Sequence, residues 1–118
     1  MEGIRLETQI KEISGYNILY LAGEIDVYTA PALKAAINKL LDTGIAHLVI
    51  DMSDVGYMDS SGFGALLSAV KRLAPNGGTV NLVNCSSGIE RILGITKLDT
   101  IFICRKTMKE TLEALGIK

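Results

Sequence analysis

HLVIDMSDVGYMDSSGFGALLSAVKRLAPNGGTVNLV, residues 47–83, decides the fold. His47 to Ile50 is a short apolar run of strand length, read as a buried strand. Gly62 to Leu73 carries Phe63, Leu66, Leu67, Val70 and Leu73 at helical spacing, an apolar stripe that seeks a core. Pro75-Asn76-Gly77-Gly78 breaks that helix, and Thr79 to Val83 resumes as a strand. Strand, helix and strand in so short a span form a unit whose strands lie parallel and whose crossover is right-handed.

Upstream, residues 4–12 alternate Ile4, Leu6, Thr8, Ile10 against Arg5, Glu7, Gln9, Lys11, the pattern of an edge strand wet on one face. Ser14-Gly15 turns the chain into a more buried strand from Tyr16 to Leu21 that stops at Gly23. Thr29-Ala30-Pro31 opens a helix, with Thr29 as its cap. Leu33, Ile37, Leu40 and Leu41 line one face of it, and Gly44 ends it. Downstream, Ser87-x-x-Glu90 is a capping box for a helix holding Ile89, Ile92 and Leu93. Ile101 to Cys104 is a last strand, and Thr107-x-x-Glu110 caps a final helix with Met108, Leu112 and Leu115 inward. The expected fold is α/β: one domain over 1–118, core about 4–115, with a mixed, mostly parallel four- to five-stranded sheet and about four helices.

Composition narrows the function. With 48% apolar and 21% charged residues the chain can build its own core without metal or disulfide support. A net charge of −1 leaves no electrostatic footprint for nucleic acid or an anionic membrane. No apolar run approaches the roughly 20 residues that cross a bilayer, so no membrane insertion is expected. Met1 to Arg5 lacks a signal-peptide layout, which points to the cytoplasm. Cys85 and Cys104 are far apart in sequence and His47 is the sole histidine, so a zinc site is not expected. Both cysteines read as small, partly buried hydrophobes in a reducing compartment.

In a parallel sheet, partners and ligands meet the carboxyl ends of the strands. Two segments reach that rim. Gly23-Glu24-Ile25-Asp26 leaves the second strand, and Val55 to Gly64 leaves the third as a loop. If those strands are neighbours, Asp26 and Ser60 share the rim. Asp59-Ser60-Ser61-Gly62 suits a helix cap. Tyr57 and Met58 are larger than a cap requires, and Gly56, Gly62 and Gly64 keep the surface bare. Small residues at Ser61, Gly64, Ala65, Ser68 and Ala69 form a face open either to a partner's backbone or to packing within the fold. Catalysis is disfavoured. His47 begins the strand that precedes the loop, at the end opposite to it, about four residues or ~13 Å away at strand rise. No G-x-S-x-G, Walker loop or G-x-G-x-x-G is present, and Asp26 with Asp59 forms a carboxylate pair without a pocket. A phosphate on Ser60 would instead add about −1.5 to −2 charges at a helix start that tolerates anions, beside a rim already carrying two carboxylates. Candidate partner-binding residues are Asp26, Tyr57, Met58, Asp59, Ser61 and Gly62.

Gly23-Glu24-Ile25-Asp26, Leu48-Val49-Ile50-Asp51-Met52-Ser53-Asp54-Val55 and Tyr57-Met58-Asp59-Ser60-Ser61-Gly62-Phe63-Gly64 together resemble bacterial anti-sigma factor antagonists of the STAS domain family, over about residues 4–115. The resemblance implies a phosphorylation-switched binding module without enzymatic activity, cofactor or metal. It implies that Ser60 is phosphorylated by an anti-sigma factor that is itself a serine protein kinase, that the unphosphorylated form binds this kinase and frees a sigma factor, and that a phosphoserine phosphatase restores binding. Asp26 matches the family's acidic residue beside the phosphosite. Ser61 matches a position held by serine, threonine or alanine, and Phe63 stands where leucine is frequent. The alternatives are a STAS-type accessory subunit of a transport or lipid-trafficking system, and a small-molecule or nucleotide sensor using the same rim.

Overall fold

The computed structural model describes residues 5–116. Met1 to Ile4, which include the start of the expected edge strand and most of the N-terminal segment read for a signal-peptide layout, lie outside them. Strand β1 (Leu6–Ile13) turns through Ser14 and Gly15 into β2 (Tyr16–Ile25). Both turn residues have positive φ, 52° and 86°, as a two-residue hairpin turn matching the sheet's twist requires. Helix α1 (Ala30–Leu41), β3 (His47–Met58), α2 (Ser60–Leu73), β4 (Thr79–Val83), α3 (Ser87–Ile95), β5 (Ile103–Arg105) and α4 (Met108–Ala114) follow. The five strands lie in the order β1-β2-β3-β4-β5, antiparallel between the first two and parallel thereafter. The mixed, mostly parallel α/β architecture expected from the sequence is present, with five strands and four α-helices among the described residues.

Strand order without reversal has a consequence. Each right-handed crossover throws its helix to the same side, so α1, α2 and α3 all cover one face. Leu33, Ile37 and Leu40 from α1, Leu66 and Ala69 from α2, and Ile89 and Leu93 from α3 bury with Leu19, Leu21, Ile50 and Leu82 of the strands. Among the described residues, the opposite face is covered only where α4 lays Leu112 over Ile18, Val49 and Val83. Asn81 is buried on β4 and fully engaged. Its Nδ2 donates to the Leu48 carbonyl (3.2 Å) and to Thr79 Oγ1 (2.9 Å), and its Oδ1 accepts from Arg105 Nη1 (3.0 Å).

Several boundaries differ from the sequence reading. β2 does not stop at Gly23 but runs on to Ile25. Gly23 adopts φ +127°, and a Cβ there would lie 1.9 Å from the Arg5 carbonyl oxygen, so glycine lets β1 cross close by without ending the strand. β3 does not end at Ile50. It continues to Met58, with register shifts against β2 between Tyr20 and Ala22 and between Gly23 and Glu24. Each shift places an extra residue on β3, so its inward residues become Met52, Val55 and Met58, a spacing of three that hides the strand from an alternation test. The capping serine of α3 is Ser86, whose Oγ accepts from Ile89 N, rather than Ser87. Thr107 does cap α4, accepting from Glu110 N at 3.1 Å. The last strand begins at Ile103, and Phe102 before it is buried.

Candidate functional site

Parallel pairing of β2 with β3 sets Ile25 opposite Met58, and the Asp59 N–H donates to the Ile25 carbonyl at 3.1 Å. The residues that follow, Asp26 on one side and Asp59-Ser60 on the other, therefore leave the sheet side by side on one rim.

Asp26 does more than line this rim. Its Oδ1 accepts from the backbone N–H of Tyr28 (2.9 Å) and Thr29 (3.0 Å), and its Oδ2 pairs with Arg5 Nη2 at 2.6 Å. Ala30 N already donates to the Asp26 carbonyl at 2.8 Å. Asp26 thus performs the capping expected of Thr29, three residues earlier, as a carboxylate suits helix-starting N–H groups. Thr29 has no capping bond of its own. Its hydroxyl turns back to the Glu24 carbonyl at 2.9 Å. Partial burial works against the Asp26 carboxylate, but the N–H groups of Thr29 and Tyr28, the Arg5 guanidinium and the Thr29 hydroxyl outweigh it and hold its pKa below the usual range. The turn this cap creates lifts Val27 and Tyr28 into solvent, 61% and 82% exposed, with Arg5 over the Tyr28 ring at 5.6 Å from its centroid. These three residues were not singled out from the sequence. The signal was available: two large apolar residues follow Asp26 before the helix and have no place in its apolar stripe.

Across the rim, Asp59 caps α2 by accepting from Ser61 N at 2.8 Å. Ser60 is the first helical residue, two positions earlier than the sequence-expected start. It is exposed, and among the described residues none bonds to its hydroxyl. Ser61 is half-buried and Tyr57 stands out, 51% exposed. Two expected contact residues point inward. Met58 is a strand residue only 2% exposed and packs in the core. Gly62 is buried beneath it, where a Cβ would lie 2.4 Å from Met58 Cγ. Their role is to seat the helix start under the sheet end, not to offer surface. Ala65 and Ala69 are likewise buried, so the small-residue face divides. Its alanines pack within the fold, and Gly64 and Ser68 remain outside. A groove of about 130 Å³ extends the rim from Gly56 and Tyr57 to Ile89 and Ile92 of α3.

The remaining candidates separate from this rim. His47 opens β3 at the far end, its Nδ1 at 2.7 Å from Thr79 Oγ1. Because β3 runs to Met58, the separation from Ser60 is roughly 30 Å or more at strand rise, longer than the sequence reading gives, and the His47 imidazole does not reach the hydroxyl. Both carboxylates of the Asp26 and Asp59 pair are committed to helix starts. Cys85 and Cys104, distant in sequence, are thiol neighbours. The Cys104 thiol beside it, and burial, push the Cys85 thiol up. Among the described residues no helix is long and apolar enough to cross a membrane.

Comparison with known proteins bears on this geometry. The STAS domain model matches residues 7–115. The chain is 42% identical over 81 residues to the anti-sigma-B factor antagonist of Bacillus subtilis (strain 168), covering 69% of this chain and 73% of that protein. The crystal structure of an anti-sigma factor antagonist from Mycobacterium paratuberculosis superimposes with a TM-score of 0.83 at 30% identity, over 92% of each chain. The Bacillus cell fate determinant SpoIIAA in its phosphorylated form shares the fold, with a TM-score of 0.70 at 21% identity over 92% of this chain and 99% of that one. The chain belongs to the STAS domain family and, within it, to the anti-sigma factor antagonists.

Proposed function

We propose that this chain is a non-catalytic partner switch of the cytoplasm whose phosphoacceptor is Ser60. In its unphosphorylated form it docks on an anti-sigma factor through the rim of Asp26, Tyr57, Asp59 and Ser61, with Val27 and Tyr28 added by the geometry. The anti-sigma factor is the serine kinase. Ser60 Oγ attacks the γ-phosphorus of ATP, the bond to the β-bridging oxygen breaks, ADP leaves, and the hydroxyl proton passes to a base of the kinase. A phosphoserine phosphatase reverses the change. One observation carries the reading: an exposed serine hydroxyl, without a bond among the described residues, lies beside a carboxylate and exposed aromatic residues on one rim. Phosphate placed there meets the partner at contact distance, where charge costs several kcal/mol if partly desolvated.

The test uses the purified chain with its cognate kinase and ATP. Intact-mass analysis should show one added phosphate, absent in Ser60→Ala. Calorimetric titration should show Ser60→Ala binding like wild type and Ser60→Asp binding severalfold or more weakly. Phosphate on another residue, or equal binding by both variants, overturns the assignment.

A further inference from the structure

β1 is the long edge of the sheet, and its outer side has no partner strand among the described residues. All eight of its residues pair with β2 in unbroken register, without the bulge or proline that commonly blunts an edge. Glu24 N donates to the Arg5 carbonyl at 2.8 Å. In an antiparallel ladder the hydrogen-bonding direction alternates, so the odd-numbered residues turn their backbone groups toward β2. The N–H and C=O groups of Leu6, Thr8, Ile10 and Glu12 therefore point outward.

We propose that this edge pairs antiparallel with β1 of a second copy of the chain, about a two-fold axis through Gln9, joining two five-stranded sheets into one. The register follows from charge. Only registers that match odd with odd residues align both the outward backbone groups and the faces. With Gln9 on the axis, Thr8 and Ile10 exchange backbone hydrogen bonds with Ile10 and Thr8 of the second copy. Glu7 then stands opposite Lys11 of the second copy, twice, at the closely spaced positions of the ladder. An axis through Thr8 would set Arg5 against Lys11, and an axis through Ile10 would leave Glu7 facing Ile13. Glu7 and Lys11 are exposed and have no ion-pair partner among the described residues. Ala22 pairs with both Glu7 and Asp54, so the incoming lysine extends a row that already holds two carboxylates.

Both faces leave room for the second copy. A concavity of about 640 Å³ opens beside Glu7, Gln9, Tyr20 and Asp54, on the face that α4 only partly covers. A groove of about 590 Å³ lies between Thr8, Ile10 and the alanines Ala32, Ala35 and Ala36 of α1. These small side chains let a second α1 approach, and the half-buried Ile10 gains cover.

Sedimentation of the full chain across micromolar concentrations should show a monomer–dimer equilibrium. Glu7→Lys or Lys11→Glu alone should weaken it at least tenfold, because each places like charges opposite one another. An equimolar mixture of the two variants, or the double variant, should restore it. Amide exchange at Thr8 and Ile10 should slow as concentration rises. A monomer at millimolar concentration, a dimer indifferent to both single substitutions, or a mixture that fails to recover overturns the proposal. Both positions are exposed, so circular dichroism should show all variants folded.

Discussion

Phosphate on Ser60 should leave the fold standing while it disables docking, and the two effects separate in magnitude. The hydroxyl has no bond to lose among the described residues, and the side chain is exposed, so modification removes no packing. Asp59, the adjacent cap, is the nearest carboxylate in sequence. Two exposed unit charges at contact distance repel by about 1 kcal/mol in water, so a phosphate of about −2 is repelled by about 2 kcal/mol. The α2 N-terminus opposes this, returning about 0.3–1 kcal/mol per unit of negative charge in its first turn. The net change in stability is therefore within about 1.5 kcal/mol, or a Tm shift within about 7 °C for a chain of this size. Docking has no such offset, and a loss of about 1.4 kcal/mol already means tenfold in affinity. Thermal unfolding of the phosphoprotein and of Ser60→Glu, followed by circular dichroism beside wild type, should give curves displaced by no more than that shift. Calorimetry on the same samples should show weakened partner binding. A drop in Tm beyond about 10 °C, with binding lost in proportion, would refute the reasoning, because the switch would then act by unfolding.

Three further predictions follow from named contacts. Gly23→Ala should destabilise by more than about 2 kcal/mol in urea unfolding, since the new methyl group meets a backbone oxygen that cannot rotate away and φ is positive. Asn81→Ala should cost about 1–3 kcal/mol in the same assay, because it strips hydrogen bonds from buried and partly buried groups. Asp26→Asn keeps an oxygen for the Tyr28 and Thr29 N–H groups but loses the Arg5 pair. The wild-type carboxylate has a lowered folded-state pKa, so its contribution is present above the unfolded value near pH 4 and is lost as pH falls through the folded one. The Tm of wild type should therefore decline more steeply than that of Asp26→Asn as pH drops below about 4.

Much of the molecule was legible because local chemistry and tertiary demand agree. The stripes of α1 and α2, the turn at Ser14-Gly15, the Thr107 cap and the parallel strands around Gly62–Leu73 each follow from local residue types and spacing. The neighbourhood of Asp26 and Ser60 followed too, because a short β-α-β unit places its strands side by side.

Other features depend on contacts that no local pattern records. β3 reads as a loop after Ile50 because two bulges convert its period of two into Met52, Val55 and Met58, and bulges exist only relative to the partner strand. Met58 and Gly62 look like surface for the same reason, and Ala65 and Ala69 look outward until α2 is packed into the core. Asp26 supplants Thr29 as the cap with one carboxylate oxygen while Arg5, just ahead of β1 and distant in sequence, pairs with the other. Residue order determined which elements form and that Asp59-Ser60-Ser61 lies at a helix entry. The lateral register of β2 against β3 decided which side chains around that entry face a partner, because register is a relation between segments and neither segment carries it alone.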